Sequence, residues 1–146
     1  MAPPACTEVA IDTLTGESRV LRWTSCTTGR TINPPIDIGQ IEGGFVQGMG
    51  WLTTEELVWN DKGLLTTHAP STYKIPRRVM CPSTSRWTCG PSRTAKTTCF
   101  GSKAVGEPPF MLAISVYEAI RDAIASVGEG GPVRLRASGH GGKCVA

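Results

Sequence analysis

"NPPIDIGQIEGGFVQGMGWLTTEEL", Asn33 to Leu57, is the stretch on which the architecture turns. Two prolines open it with turns, after which the segment becomes helix-like. Ile41, Phe45, Val46, Met49 and Leu52 then recur at helical spacing. Gly43, Gly44, Gly48 and Gly50 fall in the same segment, each costing roughly 1 kcal/mol against alanine in a helix interior. A helix with so many glycines either packs tightly against another element or lets a ligand lie along its backbone. The cluster lacks the Gly-Lys-Ser/Thr ending of a phosphate loop and the GxGxxG spacing of a dinucleotide fingerprint. Local pattern alone favours close packing.

A second stretch, "KAVGEPPF" (Lys103 to Phe110), sets one carboxylate between a glycine and two prolines. The ring of Pro108 disfavours a helical backbone before it, so Glu107 is expected in extended conformation. Pro109 suits the start of a helix, and Gly106 lets a bulky group approach the backbone. Glu107 therefore points from a fixed strand-to-helix corner. That placement fits a charge held by the helix dipole or a catalytic base, and the local pattern favours the former. Beyond it, "FMLAISVYEAIRDAIASV" is the strongest helix in the chain, with Phe110, Ile114, Tyr117, Ile120 and Ile124 as its apolar stripe.

The rest of the chain is read around these two stretches. "TEVAIDTLTGESRVLR" predicts a hairpin, with Val9 and Ile11 leading into a "TG" turn and Val20 and Leu21 returning. "DKG" (61–63) is a turn, "STYKIP" a short strand closed by Pro76, and the glycine-rich 128–146 an irregular tail. The 146 residues suit one domain, and 17 glycines with 11 prolines predict many loops. The start carries no signal-peptide pattern and no apolar run is long enough to cross a bilayer, so the expected compartment is the cytoplasm. Six cysteines (6, 26, 81, 89, 99 and 144) form no CxxC pair, and His68 and His140 stand alone, so no metal-ligating set is assigned. The net charge of +3 is local. Arg77 to Phe100 holds five basic residues and no acidic one, and without it the net charge would be −2. Nucleic acid is not an expected partner, because that function needs a basic patch on an organised surface.

Three motifs in order, "NPPIDIGQIEGGFVQGMG", "STYKIP" and "SKAVGEPPF", resemble the C-terminal part of the molybdenum-cofactor domain of xanthine dehydrogenases and related aldehyde oxidases. "GWLTTEEL" and "GEPPFMLAISV" lean toward the large subunit of bacterial xanthine dehydrogenase. The resemblance implies an α+β fold, a fragment of the molybdenum-cofactor-binding domain spanning residues 1–127. It implies Glu107 as the active-site base and Gln40 as a contact to molybdopterin. It also implies oxidation of hypoxanthine and xanthine to urate, with electrons leaving through 2Fe-2S clusters and FAD to NAD on other domains or a partner subunit. In that family the base takes a proton from a molybdenum-bound hydroxyl, which a nearby carboxylate suffices to do because the metal has already acidified it. The fragment alone is expected to be inactive without the remainder of the large subunit. An aldehyde oxidase-type hydroxylase and a non-functional remnant are the alternatives.

Two segments, 23–28 and 77–100, depart from the family pattern, and neither shows strand or helix periodicity. Both are read as loops in the present frame. "WTSCTT" admits codons that, started one nucleotide earlier, give Val-Asp-Ile-Val-Tyr-Asp. "MCPSTSRWTCGPSRTAKTTCF" likewise admits Val-Pro-Ile-Asp-Phe-Gln-Val-Asp-Leu-Trp-Pro and, further on, Asp-Asn-Val-Phe. The shift has the same direction in both and restores strand alternation, so compensated frameshifts are the expected origin. Cys26, Cys81, Cys89, Cys99 and the local basicity are then artefacts of frame. Deep sequencing of the gene is expected to show single-base insertions or deletions flanking each segment; confirmation of the present codons would overturn this origin.

Overall fold

The N-terminal stretch folds into the hairpin that its alternation predicts. In the computed structural model, which describes residues 4–28, 31–82, 84–90, 106–127, 133 and 135, β1 (Ala5–Ile11) pairs antiparallel with β2 (Ser18–Thr28). β1 alternates half-buried and exposed residues along its length, with Val9 and Ile11 packed on the core. Gly16 takes φ 73° in the turn, a region that glycine enters without steric cost. Asp12 Oδ1 accepts hydrogen bonds from the amides of Leu14 (2.8 Å) and Thr15 (3.3 Å), and these hold its carboxyl below the usual aspartate pKa. On the return strand Val20 is buried and its neighbour Leu21 faces outward.

β2 continues through Trp23–Thr28, where the sequence reading expects a loop. These residues pair in parallel with β3 (Thr84–Gly90), giving a mixed sheet in the order β1-β2-β3. The segment lacks a clear apolar alternation, but Trp and Thr suit strands and pairing with a neighbour decides the matter. β3 itself lies inside the other expected loop, Arg77–Phe100. A short 3₁₀ turn, Arg78–Met80, precedes it, while 91–100 fall outside the described residues. Parallel strands need a long crossover, and α1 (Pro34–Thr53) is its main helix. The expected strand at "STYKIP" does not form. The amides of Thr72 and Tyr73 both bond the Ala69 carbonyl in a turn (2.8 and 3.3 Å), so they are spent locally. The "DKG" turn does form: Asn60 Oδ1 accepts from the amides of Lys62 (3.0 Å) and Leu64 (2.9 Å), and Trp59 bridges Leu65.

α1 buries Ile41, Phe45, Met49 and Leu52 as its periodicity predicts, but it begins at Pro34, where turns are expected, because the first helical positions need no amide hydrogen. Asp37 sits in its first turn, where a carboxylate is favoured by the dipole, and accepts from the Thr31 hydroxyl. The other helix is broken in two, α2 (Pro108–Leu112) and α3 (Ile114–Ala125), meeting at Ala113. The break shifts the buried stripe to Ala113, Val116 and Ile120, with Ile124 at its edge, and leaves the expected core residue Ile114 exposed. α3 packs on β1, and α1 packs on both α2 and α3. The Trp23 and Phe45 rings stack with centroids 4.0 Å apart, joining sheet to helix. Tyr117 donates to the carbonyl of Leu135 (2.6 Å), and Leu135 packs on the core; it and Val133 carry no regular secondary structure.

The sheet tells which positions of the two unusual segments face inward. Ser25 is 1% exposed, and its hydroxyl has no hydrogen-bond partner, a condition that costs about 1–3 kcal/mol. The shifted reading places isoleucine there. On β3, Ser85 and Trp87 are half-buried, Trp87 against the core, whereas Thr84, Arg86 and Thr88 are exposed. The shifted reading gives phenylalanine and valine at the two inward positions, and aspartate, glutamine and aspartate at the three outward ones. The shifted residues thus follow the two-residue period of the strand. In the complete subunit, Ser25→Ala and Ser25→Ile are each expected to raise stability to chemical denaturation by about 1–3 kcal/mol; a loss of stability in both would mean that the hydroxyl is satisfied.

Candidate functional site

The glycines of α1 divide by what surrounds them. A Cβ at Gly44 would lie 3.3 Å from Pro109 Cβ, one at Gly48 only 2.2 Å from the Phe110 carbonyl oxygen, and one at Gly50 2.5 Å from Pro76 Cδ. These three serve close packing, as the local pattern favoured. Gly39 and Gly43 are different: a Cβ at either would meet nothing within 4 Å. Both open onto a cleft of about 570 Å³. Its one wall is the α1 stripe Gly39, Gln40, Gly43, Gly44 and Gln47, and its other is Gly106, Glu107 and Phe110.

Gln40 and Glu107, distant in sequence, therefore line the same cleft. Gln40 stands exposed on α1. Glu107 is the residue that caps the start of α2, and its backbone is not extended as Pro108 led us to expect. It has φ −90° and ψ −7°, the sparsely populated region between strand and helix where many site residues sit. Its carbonyl accepts the amides of Phe110 (2.9 Å) and Met111 (3.4 Å), which begins the helix at Pro108, one residue earlier than expected. Gly106 makes the approach possible with φ 60°. The Glu107 carboxylate makes no capping hydrogen bond, and a five-residue helix has little dipole to offer it.

Sequence reasoning misses Gln47. Its signal is the spacing of seven from Gln40, which places both amides on one helical face with the glycines between. Phe110 reaches the site from the apolar stripe, and its ring stacks on Trp51 at 5.4 Å. Among the described residues, neither Gln40 nor Gln47 makes a side-chain hydrogen bond. The cleft thus offers a floor without side chains and two neutral amides, each with donor and acceptor. Those features fit a flat group with a mixed hydrogen-bonding edge, such as a pterin.

Residues 3–82 match the molybdopterin cofactor-binding domain family. The chain belongs to this family. It is 48% identical over 129 residues to xanthine dehydrogenase/oxidase of Felis catus, covering 88% of this chain and 10% of that protein. To aldehyde oxidase 2 of Macaca fascicularis it is 43% identical over 127 residues, covering 84% of this chain and 9% of that one. Among solved structures it superimposes on quinoline 2-oxidoreductase from Pseudomonas putida 86 with a TM-score of 0.68 and 33% identity, over 82% of this chain and 15% of that one. The chain spans about a tenth of the length of the curated relatives it matches. The α+β architecture expected from the sequence is that of a molybdopterin-binding domain fragment. Gln40 lies within the family match and Glu107 beyond it.

A larger side chain at Gly43 separates packing from ligand approach. Gly43→Leu in the complete subunit is expected to leave the thermal midpoint unchanged or raised, since leucine is a better helix former by roughly 1 kcal/mol. It is expected to lower molybdenum and pterin content severalfold, as read by metal analysis and pterin fluorescence. Normal content in a folded variant would show that nothing lies along this face.

Proposed function

We propose that residues 1–127 are the C-terminal part of the molybdenum-cofactor domain of a molybdenum hydroxylase resembling xanthine dehydrogenase, with 128–146 as an irregular tail and 23–28 and 77–100 read out of frame. The reaction is oxidation of hypoxanthine and xanthine to urate with water as the oxygen source. The electron acceptors would be 2Fe-2S, FAD and NAD, all held on other domains or a partner subunit. The observation that carries this reading is the convergence of Gln40 and Glu107 on one glycine-floored cleft. The purine substrate rests on identities of 45–49% to xanthine dehydrogenases, against 43–45% to aldehyde oxidases. An aldehyde oxidase-type hydroxylase is the second reading.

When bound, the molybdenum–molybdopterin group supplies a two-electron acceptor and acidifies water. The chain's own residues do the rest. Glu107 accepts a proton on a carboxylate that no helix amide occupies. Gly106 and the two prolines fix where that carboxylate starts, and general-base catalysis needs it within hydrogen-bond reach. Gln40 holds the pterin edge through its amide, and Gly39 and Gly43 let the helix backbone approach it. The exposed Trp51, Leu57, Trp59 and Leu64 are covered by the remainder of the large subunit, because apolar surface of this kind is stabilised by burial. No described helix is long and apolar enough to cross a membrane, and the proposed location is cytoplasmic.

In the complete subunit, Glu107→Gln is expected to reduce purine turnover by about 10²–10⁴-fold or more while cofactor content stays near normal; undiminished hydroxylation would sink its role as base. Gln40→Ala is expected to weaken molybdopterin retention or slow reduction by substrate, through an unpaired cofactor contact costing about 1–3 kcal/mol. Equal occupancy together with an unchanged reduction rate would remove Gln40 from the site.

A further inference from the structure

The geometry points to Gly48 as a positioning residue for Glu107: the missing side chain sets how closely α2 sits on α1, and so where the carboxylate stands across the cleft from Gln40. The inference rests on the reading of Glu107 as the base. α2 has only five residues and no side-chain cap. Its place is determined mainly by what it lies against. Pro109 is fully buried and faces Gly44, while the Phe110 carbonyl and the Ala113 methyl both face Gly48. Glu107 is one turn upstream of Phe110 and is tied to it by the hydrogen bond from the Phe110 amide to its carbonyl, 2.9 Å. Whatever displaces Phe110 carries Glu107 with it.

A Cβ at position 48 would stand 2.2 Å from the Phe110 oxygen and 2.9 Å from Ala113 Cβ. Both obstacles are backbone or attached directly to it, so no rotamer change relieves them, and α2 must move by about 1 Å. Misplacement on that scale costs a reaction on the order of 10²-fold. The next packed glycine of the same helix supplies the control. Gly50 is nearly as tight, 2.5 Å from Pro76 Cδ, but it presses on Pro76 and Glu55 and not on α2.

The test compares Gly48→Ala, Gly44→Ala and Gly50→Ala in the complete cofactor-loaded subunit by molybdenum and pterin content, thermal midpoint, kcat and KM. Gly48→Ala is expected to lose kcat by about 10²-fold with cofactor content retained and KM little changed. Gly44→Ala, whose Cβ needs only a few tenths of an ångström from Pro109, is expected to lose about 3- to 10-fold in the same direction. Gly50→Ala is expected to lower the thermal midpoint and keep kcat. Wild-type kcat in Gly48→Ala overturns the proposal, as does a kcat loss in Gly50→Ala that matches its loss of stability. If Gly48→Ala does not accumulate, Gly44→Ala decides, and an unchanged kcat there overturns it. An active Glu107→Gln would instead remove the reading of Glu107 as base. An inactive Glu107→Gln beside an unaffected Gly48→Ala would remove only the positioning role.

Discussion

The approach of α2 to α1 is the contact on which the cleft depends. Two helices normally keep their axes 8–10 Å apart because side chains stand between them. Here Gly48 brings the α1 backbone against the Phe110 carbonyl, and Gly44 does the same for Pro109. A five-residue helix with no side-chain cap would not hold its place by hydrogen bonding alone. Seated in this groove, it presents Glu107 toward the helix that carries Gln40. The same glycine-rich helix thus performs two tasks, packing with one part of its surface and leaving backbone open with another.

The sheet in turn holds α1. The stacked Trp23 and Phe45 rings are both essentially buried, and Val20, Ile41 and Met49 complete the layer between strand and helix. Ser85 reaches across to Glu42 Oε1 at 2.7 Å and ties β3 to the same helix. On the same face, α3 fixes β1 through a hydroxyl pair, Thr7 Oγ1 to Ser115 Oγ, 2.6 Å apart. The weak point of the layer is Ser25, whose hydroxyl is enclosed without a partner. A polar atom in that position is a local contradiction between sequence and fold. It falls in one of the two segments whose alternative frame supplies an apolar residue.

Local chemistry by itself determined the hairpin, the buried stripe of α1 and the turn at Asp61–Gly63. Each depends on residues close in sequence: alternating side chains, an apolar stripe at helical spacing, an amide side chain bonding the backbone of its own turn. Local pattern also drew attention to Glu107, while Gln40 came only from the resemblance of long motifs read in order. Tertiary structure decided the rest. Trp23–Thr28 and Thr84–Gly90 are strands because they pair with each other, a contact between segments far apart that neither segment's composition announces. At the break, Ala113 lies against Gly48, and Val116 turns inward in place of Ile114. Only the folded chain could sort the glycines into those that pack and those that face a cleft. A missing side chain carries no mark in sequence of which neighbour, or which open space, it is missing for.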